Sequence, residues 1–390
     1  MAKESLSASP ARAPVSWDVA TRTSRWVASC PFGSPKSERG FHPVSISEQD
    51  HLEEIFAKIS IRAEELVVEH TGLVPSTTGM PCAEVLDRQQ WSERNLHTFQ
   101  TILDHAFAGS TAHEGAYSSI FSSNFVLGPS SWATGMELGI SVGWLSYRVL
   151  GQYDIFGGGY APGAGSDMMD APGSVYYVGP NILSLQRKHG FDLYPFGLWI
   201  ALHETTHRCQ LEGVPWLRSY LLEIVDHLLA AMVVPDPERL SAAIKRAAST
   251  TTSPRDLLSQ GGIATLFASD EQLDDIKKLQ AAMSLLEGHG DVVMDDAATD
   301  IREEAEIFSK VLKERRKSGN ILVRFFQELL GIKAKLLQYE KGASFLRELQ
   351  LKGGTEITSL LWQEPANLPS LEELDDPNLW LERMGALTKV

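Results

Sequence analysis

The sequence predicts a mainly α-helical protein with a small β element beside one buried helix. Apolar residues recur at helical spacing over most of the chain, whereas residues 154–180 are rich in glycine and contain one segment of aromatic and β-branched residues. A chain of 390 residues that is 43% hydrophobic is long enough to bury a large core. We therefore expect a folded helical protein.

The N-terminal residues 1–14 are rich in Ser, Ala and Pro, and we expect them to be disordered or loosely attached. Residues 15–390 are expected to form a single, mostly helical domain in which the segment of about 235–274 is variable. Trp362 and Trp380 lie in the tail, which we expect to wrap the body. The periodicity predicts helices over 47–71, 83–107, 131–150, 198–212, 217–227, 283–295, 301–317, 320–331 and 332–350.

The glycine-rich segment has two parts. Residues 157–165 contain three consecutive glycines, but they lack the Lys-Ser/Thr of a phosphate-binding loop and the spacing of a dinucleotide fingerprint, so we expect a loop or lid. Residues 175–178 read Val-Tyr-Tyr-Val and predict a strand.

The main chemical signal is the pentapeptide H-E-x-x-H, formed by His203, Glu204 and His207 within an apolar run. Side chains four residues apart on a helix leave the same face, so the two imidazoles can bind one metal ion. Neutral imidazole suits zinc, and Glu204 is placed to take a proton from water. The alternative is a buried helix whose two histidines are satisfied by hydrogen bonds.

A catalytic zinc site needs a third protein ligand. Two later predicted helices offer candidates, and we favour Glu287 over Glu223 or His227, because Asp291 lies one turn after Glu287 and can accept the other ring N–H of a ligand histidine. Carboxylates within an apolar run also need a partner such as a metal. In the alternative interpretation, Glu287 and Asp291 only line a solvated face.

The H-E-x-x-H with a distant E-x-x-x-D resembles the gluzincin pattern. More narrowly, the chain resembles the zincin-like family of zinc-dependent metalloproteases, some of which are named hydrolases associated with deazaflavin-coenzyme biosynthesis. The resemblance implies a mostly helical, zincin-like metallohydrolase fold with an edge strand at 175–178 beside the metal-binding helix. The segments that carry it are 16–20, 149–154, 179–182, 201–210, 214–218, 283–295, 338–342 and 362–369.

The expected function is therefore that of a zinc hydrolase with one Zn²⁺ ion, most simply a metallopeptidase that cleaves an amide bond. Glu204 is the expected general base. The candidates for an additional oxyanion donor are His289, Tyr160 and Tyr176. The expected partner is a peptide or small amide substrate. The alternatives are a non-catalytic helical metal-binding scaffold and a small-molecule amidohydrolase.

The charge and composition of the chain bear on its binding partners and on its location in the cell. A formal net charge of −15 argues against nucleic acid as a partner. The sequence contains no apolar run long enough to span a bilayer and its start lacks a signal-peptide core, so we expect no membrane association and a cytoplasmic location. Three widely separated cysteines argue against a disulfide framework, and Cys209 is expected to be a packing residue.

Overall fold

The structure is a computed structural model that describes residues 15–30, 44–76, 83–107, 131–154, 173–232, 270–316 and 340–386. Helices account for 81% of the described residues, and the described strands form one small sheet. This confirms the predicted mainly α class with a small β element. Several predictions lie outside the described residues, namely those for 1–14, 157–165 with Tyr160, 235–269 and 320–331.

The described elements are numbered in chain order. The helices are α1 (Trp17–Ser29), α2 (Ile46–Thr71), α3 (Arg88–Phe107), α4 (Ser131–Leu145), α5 (Gly179–His189), α6 (Leu193–Gly213), α7 (Leu217–Met232), α8 (Asp270–Ala297), α9 (Arg302–Arg316), α10 (Glu340–Ser359), α11 (Leu371–Asp375) and α12 (Pro377–Arg383). The strands are β1 (Ala83–Leu86), β2 (Gly151–Asp154) and β3 (Ser174–Val178). Among the helices of this part of the chain, none is both long and apolar enough to cross a membrane.

Two predicted helices were too long. The helix predicted over 83–107 starts only at Arg88, because residues 83–86 form β1, and the helix predicted over 131–150 ends at Leu145, before β2. Both strands have four residues, which is too short to show an alternating pattern in the sequence. Their identity as strands comes from pairing with β3.

The three-stranded sheet has the order β1-β3-β2, with β1 parallel and β2 antiparallel to β3. The strand predicted at 175–178 is confirmed as part of β3, but its predicted position at an edge was wrong, because β3 has a partner on each side. Among the strands of the described ranges, β2 lies at the edge beside the H-E-x-x-H helix, and its register pairs Gly151 with Tyr177 and Tyr153 with Val175.

Helix α6 lies in the centre of the main core, where 15 of its 21 residues are buried. It packs against α2, α8 and β2. A buried ion pair joins α6 to α2, with the Arg208 guanidinium 2.6 Å from a Glu64 carboxylate oxygen. Because α6 is covered by helices on two sides and by the sheet, its polar side chains face protein groups rather than bulk water.

A second apolar cluster forms where α8 meets α10 and the C-terminal helices. Trp380 is fully buried in it, and its indole N–H donates to the Asn367 carbonyl over 2.7 Å. The Trp362 carbonyl accepts a 3.0 Å hydrogen bond from Trp216 next to α7. The tail therefore packs its tryptophans on the helical body, as predicted.

Candidate metal centre

Helix α6 places the two motif histidines one turn apart on one face. Asp192 caps its first turn by accepting from the Tyr194 N–H. The Nε2 atoms of His203 and His207 lie 3.2 Å apart, and the His207 ring is buried while that of His203 is 13% exposed. Both rings therefore direct the same type of nitrogen to one point.

Helix α8 brings Glu287 to this point from a different part of the chain. One carboxylate oxygen lies 3.6 Å from His203 Nε2, and the other lies 3.6 Å from His207 Nε2. Among the described residues, these three side chains form the one group of His, Cys, Asp or Glu with metal-ligand spacing. Glu287 is the residue that the sequence analysis favours as the third ligand.

The spacing and chemistry of these donors fit zinc. Two atoms bonded tetrahedrally to zinc at about 2.0–2.1 Å stand roughly 3.3 Å apart. The observed separations of 3.2 to 3.6 Å agree with this value. Two imidazole nitrogens and a carboxylate are all electron-pair donors, so a cation between them removes their mutual repulsion. A His₂Glu set is also one that leaves a fourth position for water or substrate.

The alternative third ligands do not reach this point. Glu223 and His227 both lie on exposed positions of α7. The His227 ring is 72% exposed, and its Nδ1 lies 3.8 Å from a carboxylate oxygen of Asp275. Their helix follows α6 directly in sequence, but its apolar face takes the core positions and turns these two side chains outward.

Asp291, which the sequence analysis favours as the acceptor for a ligand histidine, lies beside His203. Its Oδ1 is 3.8 Å from the buried Nδ1 of His203, the ring nitrogen that does not face Glu287. This separation is longer than a hydrogen bond. A carboxylate there favours the tautomer with the proton on Nδ1, which leaves the Nε2 lone pair for a metal. Glu287 and Asp291 thus lie one turn apart on α8 and both face His203.

Gln210 is a residue that the sequence reasoning missed. It is fully buried one turn after His207, and its Oε1 lies 2.9 Å from His207 Nδ1. Its Nε2 lies 3.1 Å from the Leu286 carbonyl and 2.8 Å from His289 Nδ1. The available signal was its spacing, because residues i and i+3 share a helix face.

Glu204 points from α6 to the edge of the sheet. Its side chain is buried, and its Oε2 accepts a 3.1 Å hydrogen bond from the backbone N–H of Tyr153 in β2. A Cβ atom on Gly151 would stand 2.6 Å from Glu204 Cγ, so only glycine leaves room for this carboxylate. The β2 backbone therefore fixes where the carboxylate lies.

Gly290 has a similar relation to the two histidines. A Cβ atom at this position of α8 would stand 3.0 Å from two ring atoms of His203 and 3.3 Å from His207 Cε1. The absence of a side chain lets α8 approach the imidazoles closely enough for Glu287 to reach them.

The candidate oxyanion donors have different positions. Tyr160 lies outside the described residues. The structure does not bring Tyr176 to the histidines, because neighbouring strand residues point to opposite faces and Tyr177 is the one that contacts α6, through Thr205. The Tyr176 hydroxyl lies on the other face, where it donates to Asp154 over 3.1 Å and accepts from Arg94 over 3.2 Å.

His289 lies against Gln210, the side chain that contacts Nδ1 of His207. Its Nδ1 contacts Gln210, and its ring stacks at a tilt on Trp362 with centroids 4.9 Å apart. Burial lowers the pKa of His289 to about 3, so the ring is neutral at physiological pH. His289 is therefore linked to His207 through the side chain of Gln210.

Comparison with known proteins identifies the family of the chain. No curated protein matches the chain. A solved structure from Chloroflexus aurantiacus, described as a candidate hydrolase with a novel fold, is similar at a TM-score of 0.68 and 25% identity, covering 96% of this chain and all of the other. The model of a family described as zincin-like metallopeptidase matches residues 15–381. The chain therefore belongs to the zincin-like metallopeptidase family.

Proposed function

We propose that this protein is a zinc-dependent hydrolase of the metallopeptidase type, with His203, His207 and Glu287 as zinc ligands and Glu204 as general base. The observation that carries the proposal is the meeting of three donor side chains from α6 and α8. The two Nε2 atoms lie 3.2 Å apart, and each lies 3.6 Å from one of the two Glu287 carboxylate oxygens. The family and the similar candidate hydrolase support the same reaction class.

The residues of the chain would divide the work as follows. A bound zinc ion supplies Lewis acidity, which polarises a carbonyl and acidifies water. Glu204 takes the proton from the attacking water and passes it to the leaving amine. The hydrogen bond from the Tyr153 N–H orients this carboxylate, and burial removes competing bulk water. Asp291 and Gln210 hold the two imidazoles in place.

The proposed substrate is a peptide or another small amide. The family description supports a peptide bond, and the edge strand β2 lies beside Glu204, where an extended chain could align. A small-molecule amidohydrolase would use the same donors and the same base. The two substrate classes are separated by testing peptide libraries against N-acyl metabolites with the same preparation.

The test is a comparison of the parent protein with Glu204→Gln, both loaded with zinc. We expect both to bind one zinc ion, while the variant loses hydrolysis of casein or peptide substrates by about 10²- to 10⁴-fold, the range for a general base. A chelator should abolish the parent activity, and added zinc should restore it. Parental turnover by Glu204→Gln would contradict the role of the base.

A second result would favour the metal-binding scaffold. This result is zinc retained by both proteins with no turnover by either on any amide substrate. In that case the centre would serve binding or stability. Absence of zinc from the parent, measured on protein purified without chelator, would contradict the metal centre itself.

A further inference from the structure

The Gln210 side chain joins the two helices that carry the candidate ligands. It lies on α6 with no exposed surface, and its carboxamide contacts His207, the Leu286 carbonyl and His289 at 2.9, 3.1 and 2.8 Å. A primary amide has one oxygen acceptor and two N–H donors. Three contacts are therefore what this group needs to be satisfied when buried.

The Leu286 carbonyl determines how the amide is oriented. A backbone carbonyl only accepts hydrogen bonds, so the amide nitrogen of Gln210 must face Leu286. The amide oxygen then faces Nδ1 of His207. An amide oxygen only accepts, so His207 must donate from Nδ1, and in the neutral ring this leaves Nε2 with a lone pair.

The second N–H of the amide completes the set. It donates to His289 Nδ1, so that this nitrogen of the neutral ring is an acceptor. A reversed amide would place its nitrogen against the proton of His207 and its oxygen against the Leu286 carbonyl. The contact between the amide oxygen and the Leu286 carbonyl oxygen would be repulsive whichever tautomer His207 adopts, so the buried surroundings favour one orientation.

We propose that Gln210 is a positioning residue of the zinc centre: it holds His207 in the tautomer that presents Nε2, and it holds α8 at the height where Glu287 meets that nitrogen. The second effect follows because the carbonyl that Gln210 binds belongs to Leu286, the residue directly before Glu287. The inference rests on the proposed function, since it assigns the centre to zinc.

This role differs from that of Asp291 on the other histidine. Asp291 is a carboxylate on α8 that faces His203 at 3.8 Å. Gln210 is a neutral amide on α6 that contacts a ligand of its own helix and the backbone of the other helix. A neutral group also adds no charge to a centre that already contains Glu287.

The first test uses the metal-free protein labelled with ¹⁵N-histidine. Long-range ¹H–¹⁵N spectra report the tautomer of each ring, and His207→Ala identifies the signals of His207. We expect His207 in the parent to carry its proton on Nδ1. Gln210→Met has a similar length without hydrogen-bonding groups, and it should shift His207 to a mixture of tautomers. Gln210→Glu retains an acceptor and should preserve the Nδ1–H form.

The second test measures zinc affinity by competition with a chromophoric chelator. We expect Gln210→Met to weaken binding by about 10- to 100-fold, the usual cost of losing a support for a ligand histidine. The matched control is Thr206→Val, which removes a buried 2.7 Å hydrogen bond to the Leu202 carbonyl on the same helix. The control should keep the parental zinc affinity and the parental His207 tautomer.

The outcomes separate this proposal from the proposed function. A parental tautomer and affinity in Gln210→Met would overturn the role of Gln210, as would an equal loss in Thr206→Val, which would indicate general destabilisation. If the parent bound no zinc, the proposed function would fail. The proposal for Gln210 would fall with it as a zinc support, while the spectra of the metal-free protein would still show whether Gln210 orients His207.

Discussion

At the scale of the residue, two glycines set the space for the reactive side chains. Gly151 in β2 lies against Glu204, whereas Gly290 in α8 lies against His203 and His207. One methyl group at either position would enter the space of a neighbouring side chain. The two positions therefore allow the base and the ligands to be disturbed separately.

We expect Gly151→Ala to lower turnover while zinc binding stays at the parental level. The new Cβ would stand 2.6 Å from Glu204 Cγ, so the carboxylate must move. A displacement of about 1 Å in a catalytic group can cost on the order of 100-fold in rate. Steady-state hydrolysis together with metal analysis checks this expectation, and loss of zinc from the variant would contradict it.

Gly290→Ala should have the opposite pattern. Alanine is more favourable than glycine in a helix interior by about 0.8–1.0 kcal/mol. At this position, however, its Cβ would stand too close to both imidazoles. We expect zinc affinity to fall by roughly tenfold, equivalent to about 1.4 kcal/mol. The unfolding temperature of the metal-free variant should not fall by a comparable amount. Chelator competition and thermal unfolding measure the two effects, and an unchanged affinity would count against the close fit.

Cys209 should be chemically inert in the native protein. It has no exposed surface, and burial raises the pKa of its thiol to about 12. At pH 8 only about one thiol in ten thousand would be ionised, and the thiolate is the reactive form. Native parent and Cys209→Ala should thus titrate equally with a thiol reagent, and the two should differ by one thiol in denaturant. A difference in the native state would contradict this.

At the scale of the element, α6 carries the motif in an almost fully buried helix, and polar contacts determine its rotation. On one face its histidines meet α8, and on another Arg208 meets the carboxylates of Glu64 and Glu212 at 2.6 and 3.3 Å. Glu212 in turn accepts from the Tyr153 hydroxyl of β2 over 3.2 Å. These contacts join α2, α6 and β2 around the site.

Arg208→Met should therefore destabilise the protein strongly. It removes the guanidinium that neutralises two buried carboxylates, and breaking a buried ion pair costs about 3–5 kcal/mol. The matched control is Lys58→Met, which removes an exposed pair with Glu54 and should leave the stability unchanged within error. Urea unfolding of the metal-free proteins measures both, and similar midpoints would contradict the structural role of Arg208.

At the scale of the whole molecule, the candidate metal centre brings together residues that are distant in sequence. A ligand that binds only the folded state stabilises it, and a concentration 1,000-fold above Kd gives about 4 kcal/mol. For a protein of this size we expect zinc to raise the unfolding temperature by roughly 5 °C. Glu287→Ala should lose most of this increase, whereas Glu223→Ala, at an exposed position, should keep it. Equal zinc-induced increases in the unfolding temperature of the two variants would contradict Glu287 as the third ligand.

The part of the site that depends on the spacing of residues within one helix was predictable. The histidine pair follows from the helical period, and Glu287 with Asp291 follows from carboxylates one turn apart in an apolar run. The support by Gln210 was not predicted, because a glutamine three residues after a histidine is common and its meaning depends on the Leu286 carbonyl from another helix. Tyr176 was misplaced because its neighbour Tyr177 takes the face toward α6.

The sequence by itself determined the helical class, the H-E-x-x-H face and the chemistry of its donors, because helix periodicity and side-chain type are local properties. Only the tertiary structure decided which strand lies at the sheet edge beside Glu204, which glycines make room for the site, and which amide orients His207. Those properties depend on contacts between segments far apart in the chain, and such contacts exist only once the helices and strands have packed.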